Sequence, residues 1–316
     1  MLFRSAKVLG IRPDDLLFSA SKLFFAYGLG NSLAFTLYSG ATALLHPGKP
    51  LPEDLLALIA QHRPTLFFSV PTVYAQIILS TATAQLHLPM RLCISAGEGL
   101  PTAVFDEWQR LTGLVILDGI GTTELTHIFI SNYPGRIRSG SAGQAVPGYQ
   151  IRLVDDEGNP VPAGTPGHLQ VQGDSTAPWY WNLPEKTAAT MLPDGFIKTG
   201  DVFLEQEGYY YHQGRSDDML KVGGQWISPV QVEEVLRTHP SVADCAVSSC
   251  QVMGLMRPAA HLILKPDCVA EPALERDLRR FMASRLQDYM LPVRYFFVEE
   301  LPRTATGKVQ RFKLKR

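Results

Sequence analysis

The chain has 316 residues, 46% of them apolar and 19% charged, which is a folded composition with room for about two domains. Its 29 basic and 30 acidic residues leave a formal net charge of -1, so no long-range field draws in nucleic acid or an anionic membrane surface. Cys93, Cys245, Cys250 and Cys268 form no C-x-x-C pair and adjoin no histidines at zinc spacing; they read as reduced, mostly buried thiols of a cytoplasmic protein.

Residues 1–5 have neither the apolar region nor the cleavage site of a signal peptide, and they read as an appended stretch on a truncated reading frame. From Leu16 to Leu45 the only charge is Lys22, a hydropathy that imitates a membrane span. Gly28, Gly30, Asn31, Ser32, Ser39 and Gly40 interrupt it and no basic flank orients it, so strand, loop and buried helix of an α/β core are expected. Strands over 65–70, 91–95 and 115–118 alternate with helices opened by Pro71 and by Pro101 at the first helical position, which predicts a parallel sheet.

From about Ser139 glycine and proline recur every few residues. Strands over 150–154, 167–171, 196–198 and 209–212, with a turn at Asp156-Glu157-Gly158-Asn159, predict a small antiparallel, β-barrel-like subdomain. A compact α+β module follows Gly214. Ser228 caps a helix opened by Pro229, strands cover 243–248 and 259–264, an amphipathic helix covers 271–285 and a last strand 294–298. Residues 299–316 read as a polar, basic tail.

Several short clusters carry chemistry. Ser95-Ala96-Gly97-Glu98-Gly99 follows a strand, where glycines let a flat ligand approach the backbone. Asp118-Gly119-Ile120-Gly121-Thr122-Thr123-Glu124 follows another, at the sheet edge where α/β folds bind ligands; threonine hydroxyls suit phosphate and Glu124 is a hard oxygen ligand for Mg²⁺. In Lys198-Thr199-Gly200-Asp201, a carboxylate at a tight turn can accept both hydroxyls of a ribose. Gly214 to Gly224 is a charged, glycine-flanked junction suited to a hinge. Pro302-Arg303-Thr304-Ala305-Thr306-Gly307-Lys308 puts a lysine, a compact point charge, on a glycine-containing loop. Taken singly, each also has a plain reading: a strand-end turn, a capped glycine turn, an Asx-turn, an inert linker and a solvated tail.

Together and in this order, the clusters resemble the adenylate-forming superfamily of acyl-CoA synthetases, adenylation domains and luciferases, over nearly the whole chain. The resemblance implies an α/β fold: the C-terminal part of the large adenylating domain (1–138 α/β, 139–214 β-rich), a hinge at 215–217 and a small α+β domain at 218–316. It implies that Gly97, Glu98, Gly119, Ile120, Gly121 and Thr122 line the nucleotide site. Ile120 stands where an aromatic residue is usual, which replaces stacking by apolar contact. Thr123 is implied on the α-phosphate, Glu124 on Mg²⁺, Asp201 and Arg215 on the ribose, Asp217 as pivot, Gly223 and Gly224 beside the pantetheine tunnel, and Lys308 between acyl carboxylate and α-phosphate.

Residues 22–31 and 124–129 look most like benzoate-CoA ligases and their hydroxy- and aminobenzoate relatives, which implies an acyl pocket of Ala26, Tyr27, Gly28, His127 and Ile128. The implied reaction is ATP-dependent ligation of a small aromatic acid to coenzyme A through an acyl-adenylate, with release of AMP and pyrophosphate. A domain that loads a carrier protein and a truncated, non-catalytic family member are the alternatives. The implied partners are small molecules (aromatic acid, ATP, CoA and Mg²⁺), with no nucleic acid and no membrane; a homodimer is one of the oligomeric states left open. No glycine-, serine- and threonine-rich phosphate loop ending in lysine occurs, so these 316 residues by themselves are expected to bind ATP poorly, to be inactive and to expose apolar surface.

Overall fold

The computed structural model describes residues 6–81, 85–222, 225–253, 255–303 and 309–314. Lys308, Gly223 and Gly224 lie outside the described residues, as do residues 1–5. The chain divides into two compact units, one of Met1–Thr199 with Phe203–His212, the other of Gly200–Val202 with Gln213–Arg316.

The first unit is built on strands β1 (Leu16–Ser19), β2 (Thr42–Leu44), β3 (Leu66–Ser69), β4 (Leu92–Ser95), β5 (Ile116–Gly121), β6 (Ile128–Ser131) and β7 (Gln144–Ala145) in the order β2-β1-β3-β4-β5-β6-β7. β1 to β5 pair in parallel, and β6 and β7 add antiparallel. The strands are almost uniformly apolar because both faces are covered. Between β1 and β2 run α1 (Ala26–Leu29), a π-turn (Gly30–Ala34) and α2 (Phe35–Ser39). Helices α3 (Pro52–His62), α4 (Pro71–Ser80) and α5 (Thr102–Thr112) pack Leu55, Ile59, Tyr74, Ile77, Phe105 and Trp108 against Phe67, Cys93 and Ile116. The other face, with Phe68, Ile94 and Leu117, buries Phe35, Leu125 and Phe129. Proline at the start fixes φ where no amide partner is needed, and α5 ends at Gly113 with φ +70°.

Strands β8 (Gln150–Val154), β9 (Gly167–Gln172), β10 (Ile197–Gln206) and β11 (Tyr209–Arg215) form a second sheet in the order β11-β10-β9-β8, with α6 (Pro184–Thr190) between β9 and β10. In the second unit, β12 (Leu220–Val222) and β13 (Gln225–Ile227) make a hairpin. β14 (Val242–Val252), β15 (Leu255–Leu264) and β16 (Arg294–Phe297) form a sheet, with α7 (Pro229–Arg237) and α8 (Pro272–Ala283) supplying Val232, Leu236, Leu278 and Met282 to its core. Ser228 caps α7, its hydroxyl accepting from the Gln231 amide at 3.1 Å, as the Ser-Pro pair predicts.

Several expectations are corrected. The segment from Leu16 to Leu45 is not buried all round: Leu29, Leu33 and Leu37 lie on one exposed face and Phe24 is 80% exposed. Among the described residues no helix is long and apolar enough to cross a membrane. Pro101 is the cap of α5 rather than its first residue. The Asp118–Gly121 cluster does not follow its strand but is the last stretch of β5, because β6 folds back and pairs with it. Thr199-Gly200-Asp201 is likewise no tight turn; it lies inside β10, where Gly200 alone takes φ +75°. The tail also packs: Leu301 and Leu314 are buried in a small cluster with Ala246.

Candidate active site

The carboxyl edge of the parallel sheet carries a polar row. Ser69, Ser95 and Asp118 stand in register on β3, β4 and β5, all buried. The two serine hydroxyls and Asp118 Oδ1 have no hydrogen-bond partner among the described residues. Burial pushes the Asp118 carboxyl up to about 8, against the Leu100 and Gly119 amides and the nearby Ser95 hydroxyl, which pull it down. Gly119 and Gly121 follow. A Cβ on Gly119 would meet the Ile130 carbonyl oxygen at 2.9 Å, and one on Gly121 the His127 carbonyl oxygen at 2.3 Å. Only glycine therefore lets β6 close on β5, and half-buried Ile120 is the side chain presented between them. On the neighbouring strand end Gly97 takes φ +94°, and the Thr72 hydroxyl donates to Glu98 Oε2 at 3.0 Å, linking the start of α4 to the glycine turn.

After β5 the chain makes one 3₁₀ turn, Thr123–Leu125, which exposes Thr123 and ends with Thr126 at φ +71°. Half-buried Glu124 is held twice: the Ala177 amide donates to its carbonyl at 2.7 Å and the Tyr180 hydroxyl to its Oε1 at 2.6 Å. Burial, and then the adjacent carboxylate, push the Tyr180 phenol up to about 12, so it remains a donor at neutral pH.

Beside this turn lies an aromatic cluster. His127 is buried, with its ring 5.4 Å from that of Tyr27 and 4.7 Å from that of Phe35. Its Nε2 lies 2.9 Å from Asn31 Oδ1. Burial pulls His127 down to about 3, the Tyr27 carbonyl opposing it, so the ring is neutral at physiological pH. A Cβ on Gly30 would lie 2.3 Å from the His127 ring, and one on Gly28 2.1 Å from the Lys22 carbonyl oxygen, so both glycines are required for this packing. Ala26 and Ile128 complete the implied pocket residues, half-buried and buried.

In the second unit Asp201 is buried, and Arg215 donates to its Oδ1 at 3.2 Å. The Ser216 amide bonds the Gly200 carbonyl at 2.9 Å, which closes β10 on the end of β11. Asp217 is exposed in the turn from β11 to β12.

The profile of the AMP-binding enzyme family matches residues 2–181, and that of the AMP-binding enzyme C-terminal domain residues 231–308. The chain belongs to the AMP-binding enzyme family. Among curated members it is 46% identical to benzoate–CoA ligase of Thauera aromatica over 98% of this chain and 59% of that protein. The solved structure of a benzoate CoA ligase from Burkholderia xenovorans LB400 superposes with TM-score 0.91 at 43% identity, covering all of this chain and 65% of that one. An anthranilate CoA ligase, AuaEII, solved with anthranoyl-AMP, gives TM-score 0.91 at 44% identity over 98% of this chain and 62% of that one. The chain thus spans about three fifths of the length of the curated relatives it matches (59% for the Thauera protein).

A further similar structure, the O-succinylbenzoate coenzyme A synthetase of Bacillus subtilis (TM-score 0.87, 29% identity over 99% of this chain and 64% of that one), is solved with ATP and a magnesium ion. Glu124 fits such an ion: it is a half-buried carboxylate with one oxygen on Tyr180 and no partner on Oε2 among the described residues. No group of three or more His, Cys, Asp or Glu side chains able to hold a metal exists among those residues. One protein carboxylate suits Mg²⁺, which takes most of its ligands from phosphate and water.

Sequence reasoning passed over Tyr180, although the aromatic run Trp179-Tyr180-Trp181 in a loop was a signal. It also passed over Arg311, counted with the basic tail. Arg311 grips Glu233 of α7 at 2.8 and 2.9 Å, and Glu233 is only 2% exposed. Arg303 bonds Asp244 on β14, and the Gln310 amide bonds the Pro302 carbonyl at 2.8 Å. These contacts hold residues 302–303 and 310–311 within the second unit.

Proposed function

We propose that the protein ligates benzoate, or a hydroxy- or aminobenzoate, to coenzyme A at the expense of ATP, by way of an acyl-adenylate. The observation that carries this reading is the cluster of half-buried Tyr27 with buried Phe35 and His127, His127 following closely on the Gly119–Glu124 stretch. Flat apolar walls suit one ring better than a fatty chain, and a neutral His127 adds no charge that would need a counter-ion.

In the first step a carboxylate oxygen of the acid attacks the α-phosphorus of ATP and the bond to pyrophosphate breaks. Two anions must meet, so Lys308 offsets the repulsion and fixes the approach, while Thr123 binds the α-phosphate and Asp201 with Arg215 holds the ribose. Bound Mg²⁺, on Glu124, supplies charge neutralisation at the phosphates. In the second step the thiol of CoA loses its proton and its sulfur attacks the acyl carbon, expelling AMP. A turn at Asp217 that withdraws Lys308 and presents Gly223 and Gly224 to the pantetheine arm lets one site serve both steps.

The test compares two proteins: the 316-residue chain, and the same chain joined to the part of the Thauera relative that has no counterpart here. Pyrophosphate and CoA thioester are measured with benzoate, hydroxybenzoates, anthranilate and decanoate. The joined protein is expected to form benzoyl-CoA and the chain by itself none. Preference for decanoate would overturn the aromatic assignment, and benzoate-dependent AMP formation by the chain alone the expectation of inactivity.

A further inference from the structure

We propose that Tyr180 is a positioning residue that presents the Glu124 carboxylate to the metal ion, engaging Oε1 so that Oε2 faces the ion. The inference rests on the assignment of Mg²⁺ to Glu124 in the proposed function. The loop after β9 clasps the 3₁₀ turn at three points: the Ser175 hydroxyl donates to the Leu125 carbonyl at 2.9 Å, the Ala177 amide to the Glu124 carbonyl at 2.7 Å, and the Tyr180 hydroxyl to Glu124 Oε1 at 2.6 Å. Backbone and side chain of the same glutamate are thus fixed from one loop.

Tyr180 is itself held. Its amide donates to the Thr187 hydroxyl of α6 at 2.9 Å, and the Lys186 ammonium sits 4.3 Å from the centre of its ring. Its hydroxyl is the donor and the Glu124 carboxylate oxygen the acceptor. A short hydroxyl-to-carboxylate bond is the stronger, charge-assisted kind. An isolated exposed glutamate samples several rotamers; one with an oxygen committed keeps a single lone-pair direction for a hard cation.

The chain offers an internal reporter. Trp179 and Trp181 flank Tyr180 and are 61% and 80% exposed, while Trp108 is buried and Trp226 belongs to the second unit, so the four indole NH resonances differ in environment. The joined protein is titrated with manganese(II) chloride in the presence of ATP, and paramagnetic broadening of these indole signals is followed. Saturable broadening of Trp179 and Trp181 is expected, lost in Glu124→Gln and shifted to about 10–100-fold higher manganese in Tyr180→Phe. Replacing Tyr180 with 4-aminophenylalanine, which keeps a donor at the same position, is expected to restore the original titration and guards against a folding defect in the Phe variant. In the joined protein the half-saturating Mg²⁺ for pyrophosphate release is expected to rise by the same factor in Tyr180→Phe, with KM for benzoate unchanged. A Tyr180→Phe titration identical to that of the parent chain would overturn the role of Tyr180 while leaving Glu124 as the ligand. Broadening unchanged by Glu124→Gln, or none at all, would overturn the metal assignment itself.

Discussion

Asn31 and His127 meet across 96 residues of sequence, Oδ1 to Nε2 at 2.9 Å, in the interior of the first unit. The Asn31 amide nitrogen donates to Ser19 Oγ at 3.2 Å, which orients its oxygen toward the histidine and places the ring proton on Nε2. Asn31→Leu leaves that buried donor unpaired, and the loss is expected at about 1–3 kcal/mol of unfolding free energy, read by urea denaturation. In the joined protein, with the acyl pocket where it is proposed, the variant should also weaken benzoate binding more than ATP binding. A variant as stable as the parent chain would show that the bond adds nothing to the fold.

Two buried groups give opposite pH signatures. His127, lowered from 6.5 to about 3, binds fewer protons folded than unfolded, so its contribution is present above pH 6.5 and is lost as pH falls toward 3. Asp118, raised from 3.8 to about 8, binds more protons folded than unfolded, so its contribution is present below pH 3.8 and is lost as pH rises through 8. Asp118→Asn keeps the shape and removes the titration. Thermal melts of the chain should therefore show Asp118→Asn equal to the parent near pH 4 and several degrees more stable at pH 8.5, at roughly 2–4 °C for each kcal/mol. A difference independent of pH would mean that Asp118 titrates normally.

Local signals made much of the fold legible. Pro71, Pro229 and the Ser228 cap announce helices by the chemistry of their own first turns, and the apolar runs of β3 and β4 lie between turn residues. What was misread depended on distant partners. β5 runs on through Gly121 because β6 pairs with it, and β10 absorbs Thr199-Gly200-Asp201 because the end of β11 lies alongside. The outward face of Leu29, Leu33 and Leu37 has the same hydropathy as a buried one, so composition alone could not expose it. The candidate site divides the same way: its glycines are visible as a motif, but the partners of Glu124 and His127 sit 56 and 96 residues away.

Gly200 tests whether the Asp201–Arg215 pair, proposed to hold the ribose, depends on one φ value. Alanine there must adopt φ +75°, at a strain of about 1–2 kcal/mol, and its Cβ would fall 2.6 Å from Arg215 Nη2. The guanidinium is the movable partner, so Arg215 leaves Asp201. Gly135 has the same φ with nothing within 4 Å of an added methyl, and Gly135→Ala provides the strain without the clash. Both variants should lose similar stability, whereas only Gly200→Ala should raise KM for ATP in the joined protein. Equal ATP kinetics for the two would detach Arg215 from the nucleotide.

The grip of Arg311 on Glu233 tests whether the segment beyond Leu301 belongs to the fold of the second unit. Glu233 Oε1 also accepts the Val247 amide at 2.7 Å, and Arg237 stands 3.6 Å away, so the carboxylate is surrounded but depends on Arg311 for its two-pronged bond. Removing only the arginine leaves the buried carboxylate with the more distant Arg237 alone, and is expected to destabilise by less than the roughly 3–5 kcal/mol of a wholly unpaired charge. Removing only the carboxylate orphans the Val247 amide and leaves two arginines facing each other. Arg311→Met with Glu233→Met removes both charges together and is expected to be less destabilising than the sum of the single changes. Urea denaturation of the four proteins closes the cycle, with a coupling of about 1–3 kcal/mol expected. In the joined protein, if Lys308 serves only the first step as proposed, Arg311→Met should lower adenylate formation yet spare thioester formation from supplied benzoyl-adenylate. Zero coupling would show that the arginine merely lies on the surface of α7.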